Sequence, residues 1–197
     1  MHGIDIGRKL TLDEIDFLRA RGFGFAARYY DGSVGQSAKA LSTDEVASLL
    51  SRRIGIVPVF ETTGQGPFTY DQGKLDGAAA RADALAAGQP LGSAICFAVD
   101  ESVDPSQVGS ALVDYCNGVF DGLDGAYLEG VYGSWSLCKW ARESLPALGF
   151  FWQTYAWSAG AEYAPADVYQ HANAVTLRPG LEVDLNIARS PIAWRLA

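Results

Sequence analysis

The chain has 197 residues, of which 49% are hydrophobic and 19% charged, a balance that fits one globular domain able to bury its own core and excludes a disordered chain. With 15 basic against 23 acidic residues the formal net charge is −8. That argues against nucleic acid, whose binding draws on clustered Lys and Arg, and against electrostatic attraction to anionic membranes. No apolar run approaches the roughly 20 residues needed to cross a bilayer.

"HGIDIG" reads as a short strand ending near Asp5, and "TLDEIDFLRARG" after it has a Thr cap, early acids, late arginines and a terminal Gly, the marks of a helix. "FGFAARYY" is a second strand, "STDEVASLLSRR" a second capped helix, and "IGIVPVFE" a third strand ending on Glu61. Residues 71–88 form an Ala-rich helix closed by Gly88, and "SAICFAVD" supplies the fourth strand, ending on Asp100. "DPSQVGSALVDYCNGVFDGL" opens on Asp and Pro and keeps apolar residues at helical spacing. "AYLEGVYG" and "SWSLCKWARESL" are the fifth strand and helix. After Pro146, "FFWQTYAW", "DVYQH" and "LEVDLN" look like strands whose connections are too short or broken for full crossover helices.

Eight strands with five good helices predict a single α/β domain over residues 1–197. Its architecture is an eight-stranded (β/α) TIM barrel with reduced helices in its last third. An open doubly wound sheet is the alternative, weakened by the absence of any GxGxxG or P-loop at a strand–helix turn, so no nucleotide or other cofactor is expected. In a barrel of this kind, functional groups sit at the C-terminal strand ends. Those ends carry Asp5, Arg28 with Tyr29, Glu61, Asp100, Tyr132, Gln153 with Tyr155, Gln170, and Asp184 with Asn186. Turn chemistry alone selects Gly, Asn and Ser rather than four carboxylates, an Arg and several aromatics.

Carboxylates gathered at one cleft with aromatic rings and amides suit glycoside hydrolysis, in which one acid protonates the leaving oxygen and another stabilises or attacks the cationic centre. Clustered acids also hold one another's protons near neutral pH. Tyr132, Tyr155, Trp157 and Trp135 are candidate flat faces for sugar rings, although aromatics at such positions also build cores. With only His2 and His171 and no CxxC or HExxH, no metal site is expected. Cys96, Cys116 and Cys138 lie far apart among apolar neighbours and read as free thiols.

The combination "GIDIG", "ARYY", "IVPVFE", "ICFAVD", "GVYGS", "WQTYAWS", "VYQH" and "VDLN", in this order over nearly the whole chain, resembles the bacterial glycoside-hydrolase-like domain, related in fold to the lysozymes of glycoside hydrolase family 25. The resemblance implies a flattened barrel and a carbohydrate-facing cleft, with bacterial peptidoglycan as substrate. It matches Asp5 to the Asp of the lysozymes' first strand and Asp100 to the Glu, their general acid, that ends the Asp-x-Glu pair of the fourth. Asp184 matches a late acidic position that both groups share. This chain departs at the first member of that pair, where Ala98 stands, so Glu61 or Asp5 must supply the missing charge or the lysozyme mechanism does not carry over.

The resulting expectation is a peptidoglycan glycosidase, monomeric, with Asp100 as proton donor, Glu61 and Asp5 as electrostatic or base partners and Asp184 orienting. Arg28, Tyr29, Tyr132, Gln153, Tyr155, Trp157, Gln170 and Asn186 are its expected substrate contacts. The alternative is a catalytically weak domain that recognises wall glycans. With the first strand beginning almost at Met1, the expectation is of no export signal. The expected setting is therefore cytoplasmic synthesis with action at the cell wall, as a phage lysin or as a module excised from a secreted protein.

Overall fold

The computed structural model describes residues 1–61 and 68–194. Five strand–helix pairs come first: β1 (His2–Asp5) with α1 (Leu12–Ala20), β2 (Phe25–Tyr30) with α2 (Thr43–Ser51), β3 (Gly55–Phe60) with α3 (Tyr70–Ala87), β4 (Ala94–Ala98) with α4 (Pro105–Leu123), and β5 (Leu128–Gly133) with α5 (Trp135–Ser144). Three strands follow without helices between them, β6 (Phe150–Thr154), β7 (Val168–Arg178) and β8 (Leu181–Ala188). The strands close into a barrel in sequence order. The helices start where the sequence marks them. Thr11 forms a capping box with Glu14, Thr69 and Ser134 cap α3 and α5, and Asp104 caps α4 with Pro105 in its first turn.

One strand runs against expectation. β8 is antiparallel to both β7 and β1, because Pro179 and Gly180 turn the chain straight back and Gly180 takes the left-handed φ of +81° that such a turn needs. The β7–β8 hairpin therefore rises past the other strand ends, and the functional end of β8 is its N-terminal half rather than its C-terminus.

Strand alternation divides the core. Phe25, Ala27, Val57, Val59, Cys96, Trp152, Val168 and Ala188 fill the barrel lumen. The opposite parity, including Ile4, Ala26, Ile56, Phe97 and Val183, packs outward against α1–α4. A third cluster joins β5 and β6 to α4 and α5. Cys96 and Cys138 are buried, Cys116 is partly so, and all three are unpaired.

Helices α3 and α4 meet backbone to backbone. A Cβ built on Gly73 would stand 2.0 Å from the Tyr115 carbonyl oxygen, and one on Gly118 would stand 2.0 Å from that of Tyr70. Gly77 and Gly122, one helical turn further along, are closed off in the same way by Val119 and Lys74. Glycine costs a helix roughly 1 kcal/mol against alanine, and here that cost is offset by a contact no other residue permits. Gly118→Ala should therefore lower unfolding free energy by about 3 kcal/mol or more. Gly88→Ala, at a helix end with φ +74° and open space around it, should cost only about 1 kcal/mol. Equal urea midpoints for Gly118→Ala and wild type would refute the close-packed seam.

Candidate active site

The cleft at the upper end of the barrel is lined by Asp5, Tyr29, Val59, Glu61, Asp100, Tyr132, Trp152, Gln170, Asn173 and Asp184, around a space of about 130 Å³. That is below the several hundred Å³ that enclose a drug-sized ligand. It holds about one ring, with the rest of a larger molecule left in solvent. All four predicted carboxylates thus face one cleft.

Asp5 lies at the bottom and is 3% exposed. Asn186 Nδ2 donates to its Oδ2 at 2.6 Å, Gln170 Nε2 donates to the same oxygen at 3.0 Å, and the Tyr29 hydroxyl donates to Oδ1 at 3.3 Å. The orientation of both amides is set from outside. Trp152 Nε1, which can only donate, binds Asn186 Oδ1 at 2.9 Å, and the Tyr132 hydroxyl donates to Gln170 Oε1 at 2.9 Å. The rings of Tyr132 and Trp152 meet edge to face with centroids 4.7 Å apart.

Asp184 stands directly opposite Asp5 in the β1–β8 ladder. Gln170 Nε2 bridges the two, donating to Asp184 Oδ2 at 3.0 Å as well. The other Asp184 oxygen accepts the Ala174 N–H at 2.8 Å. The register of β7 slips between Ala172 and Val175, and Ala174 adopts a left-handed φ of +52°. Such bulges re-aim a strand at functional rims; this one turns a backbone donor onto Asp184 where Asn173 enters the cleft.

Burial, reinforced by the Asp184 charge, pushes the Asp5 carboxyl up to about 7 despite its three hydrogen bonds. Asp100, exposed at the rim, is raised by desolvation and by the charge of Glu61, with Asp184 adding to the effect and Lys39 opposing it. Asp184 is raised by desolvation, against the pull of the Ala174 N–H. Glu61 Oε1 pairs with Lys39 Nζ at 2.7 Å, and that ammonium lies 4.2 Å from the centre of the Tyr29 ring. Burial and the neighbouring carboxylates raise the hydroxyls of Tyr29 and Tyr132, which remain donors.

Other expected contacts are placed elsewhere. Arg28 is fully buried on the helix side of β2, where it pairs with Glu45 at 2.8 Å and donates to the carbonyls of Ile6 and Lys39. Gln153 is also fully buried on the outer face, where its amide holds the 154–163 loop through Ser158, Ala161 and the Tyr163 N–H. In both cases the side chain has the parity opposite to the lumen, so the strand aims it away from the cleft. Asn186 lies in the lumen with no exposure and supports Asp5 from below instead of meeting a ligand. Tyr155 and Trp157 are exposed on the loop after β6 but do not line the cleft. Trp135 is half-buried at the start of α5, and its backbone N–H donates to Ser158 Oγ in that loop. The sequence reading missed Trp152, Asn173 and Lys39. Ala98 points into the lumen and packs against its apolar cluster.

A closed eight-stranded barrel with acids and aromatic rings gathered at one mouth is the architecture expected of a glycoside-hydrolase-like protein. The family model for the Rv2525c-like, glycoside hydrolase-like domain matches residues 16–188, and the chain belongs to that family. The structure is similar to that of the Mycobacterium tuberculosis Tat-secreted protein Rv2525c, solved in complex with L-tartrate, with TM-score 0.82, 22% identity and 96% of each chain covered. It is also similar to GHIP, a glycosyl hydrolase 25 of Streptococcus pneumoniae, with TM-score 0.63, 13% identity and coverage of 96% of this chain and 87% of that one. The modular autolysin LytC of the same organism, in complex with a synthetic peptidoglycan ligand, gives TM-score 0.60 and 13% identity over 94% of this chain and 46% of LytC. Among curated proteins, FadG of Bacillus subtilis, described as uncharacterized, is 24% identical over 66% of this chain. The chain spans only about a quarter or less of the curated relatives' length, 24% of FadG and 20% of a second B. subtilis protein.

The raised Asp5 carboxyl has a measurable consequence. A folded pKa near 7 against an ordinary 3.8 means that the folded state binds the proton more tightly. Stability is therefore lost as pH rises from about 4 to about 7 and is level above that, at about 1.4 kcal/mol per pH unit within the window. Asp5→Asn keeps acceptors for Asn186 and Gln170 and removes the titration. Its stability relative to wild type should rise by several kcal/mol between pH 4 and 7 and then plateau. A difference that stays flat across that window in chemical denaturation would contradict a buried, proton-holding Asp5.

Proposed function

We propose that this domain hydrolyses a glycan of the bacterial cell wall, with Asp100 delivering a proton to the leaving oxygen. The observation that carries this reading is the placement of Asp100. It stands at the open rim, its carboxyl is raised by desolvation and by the Glu61 charge, and it shares one cleft with the rings of Tyr29, Tyr132 and Trp152. A general acid must keep its proton near working pH and reach solvent-borne substrate. In this reading Glu61, held by Lys39, supplies the negative charge that Ala98 does not, and Asp184 faces the developing positive charge from across the cleft. Asp5 acts as the support beneath, because every oxygen it has is already engaged. Peptidoglycan as the substrate is supported by likeness of fold to the streptococcal autolysin. The proposed setting is the cell wall, reached either as a phage lysin or as one module of a longer secreted protein.

A second reading, a domain that binds wall glycan without cleaving it, is favoured by one specific feature. The position two residues before Asp100 carries a methyl group packed into the lumen, where the lysozyme-like arrangement has an acid.

Asp100→Asn separates the two. It should reduce release of reducing ends from purified cell walls by ~10²–10⁴-fold while leaving wall binding, measured by co-sedimentation, within a few-fold of wild type. Wild-type protein that co-sediments with walls yet releases no reducing ends between pH 4 and 8 would rule out hydrolysis and leave the binding reading.

A further inference from the structure

A second cavity lies on the helix side of β5, across the sheet from the acidic cleft. It is a groove of about 300 Å³ between α4 and the connection from α5 to β6, more than twice the volume of the cleft and large enough for a single-ring ligand. Its walls are mainly apolar, formed by Val113, Phe120, Leu145 and Leu148 with Asn117 and Ser144 among them, and Phe120 is 55% exposed.

At its base sits Glu129. The residue is 4% exposed, and no N–H or O–H group among the described residues donates to its carboxyl. Its carboxyl meets the thiol of Cys116, which also lines the groove. No lysine, arginine or histidine stands among the groove-lining residues described. A buried carboxyl without a strong donor is costly, and other buried acids of the chain have theirs: Glu45 holds Arg28, and Asp83 accepts the N–H groups of Asp31, Gly32 and Val34. Burial pushes Glu129 up to about 8, the mark of an acid whose environment lacks a compensating cation.

We propose that this groove is a second ligand site, one that takes a small amine with an aromatic or short aliphatic body whose ammonium pairs with Glu129 while the body lies against Phe120 and Leu148. Charge complementarity supplies the head group, and the apolar walls supply the tail. The site is independent of the cleft reaction, since Glu129 and the cleft-lining Tyr132 face opposite sides of the same strand.

The test uses 2-phenylethylammonium titrated into isotopically labelled protein at pH 8.5, where the Glu129 carboxyl is largely ionised and the amine still protonated, with 2-phenylethanol as the uncharged counterpart. Saturable amide shifts are expected at residues 116–120 and 144–148, and the alcohol should bind at least about tenfold more weakly, the usual worth of a charge-assisted hydrogen bond. Glu129→Gln should reduce amine affinity by the same factor. Phe120→Ala, at an exposed position that the fold can spare, should weaken amine and alcohol alike, and it decides the matter together with the alcohol if Glu129→Gln does not fold. The proposal is overturned if shifts fail to saturate, if they map to the acidic cleft around Asp184, or if amine and alcohol bind equally.

Discussion

Two carboxylates stand opposite one another where β8 closes the barrel onto β1, and the upper half of the lumen is organised around making that tolerable. Asp5 and Asp184 are cross-strand partners, a placement that like charges disfavour. Two things relieve it. Gln170 donates to both acids through a single nitrogen, and burial together with the Asp184 charge drives the proton onto Asp5. The amides in turn depend on Tyr132 and Trp152 for their orientation. The floor of the cleft is therefore one connected network drawn from β1, β2, β5, β6, β7 and β8, and truncating any one member to an apolar side chain leaves a buried group unsatisfied.

The rim is built differently. Glu61 and Asp100 follow the ends of β3 and β4 rather than lying within the strands, and their surroundings are wetter. Lys39, from the segment before α2, brings a cation to a mouth otherwise dominated by acids. This division, a locked floor below an open rim, leaves the Asp100 carboxyl exposed at the mouth while burial raises the Asp5 carboxyl beneath it to about 7. Ala98 itself packs into the apolar cluster of the lumen, and the acid two residues on, Asp100, stands exposed at the mouth.

Much of the frame was readable because each strand is an apolar run that stops on a polar residue, and each early helix is preceded by a Thr, Ser or Asp of the capping type. The acids were found by the same rule. What the rule lacks is parity. Arg28 and Tyr29 end the same strand, but neighbouring side chains go to opposite faces, and the lumen-facing residues Phe25 and Ala27 commit Tyr29 inward and Arg28 to Glu45. Counting by twos from Ala98 and Asp100 across the register of the neighbouring strands would also have excluded Gln153 and selected Trp152. The turn "RPGL" at residues 178–181 carried a hairpin signal that reverses β8. No local pattern announces Asn173 or Lys39: one reaches the cleft through a bulge and the other from an irregular loop, so both depend on contacts between segments far apart in sequence.

The seam between α3 and α4 bears on how such a domain can change over time. Because the contact is main chain against main chain, its strength does not depend on what the outward positions carry, and Leu75, Leu85 and Phe120 are all exposed on this helix pair. The inner positions have no such freedom. The smallest possible missense change at Gly73, Gly77, Gly118 or Gly122 still adds a methyl group where no space exists, so a lineage can repaint the outer face of the helix pair indefinitely while the four glycines beneath stay fixed.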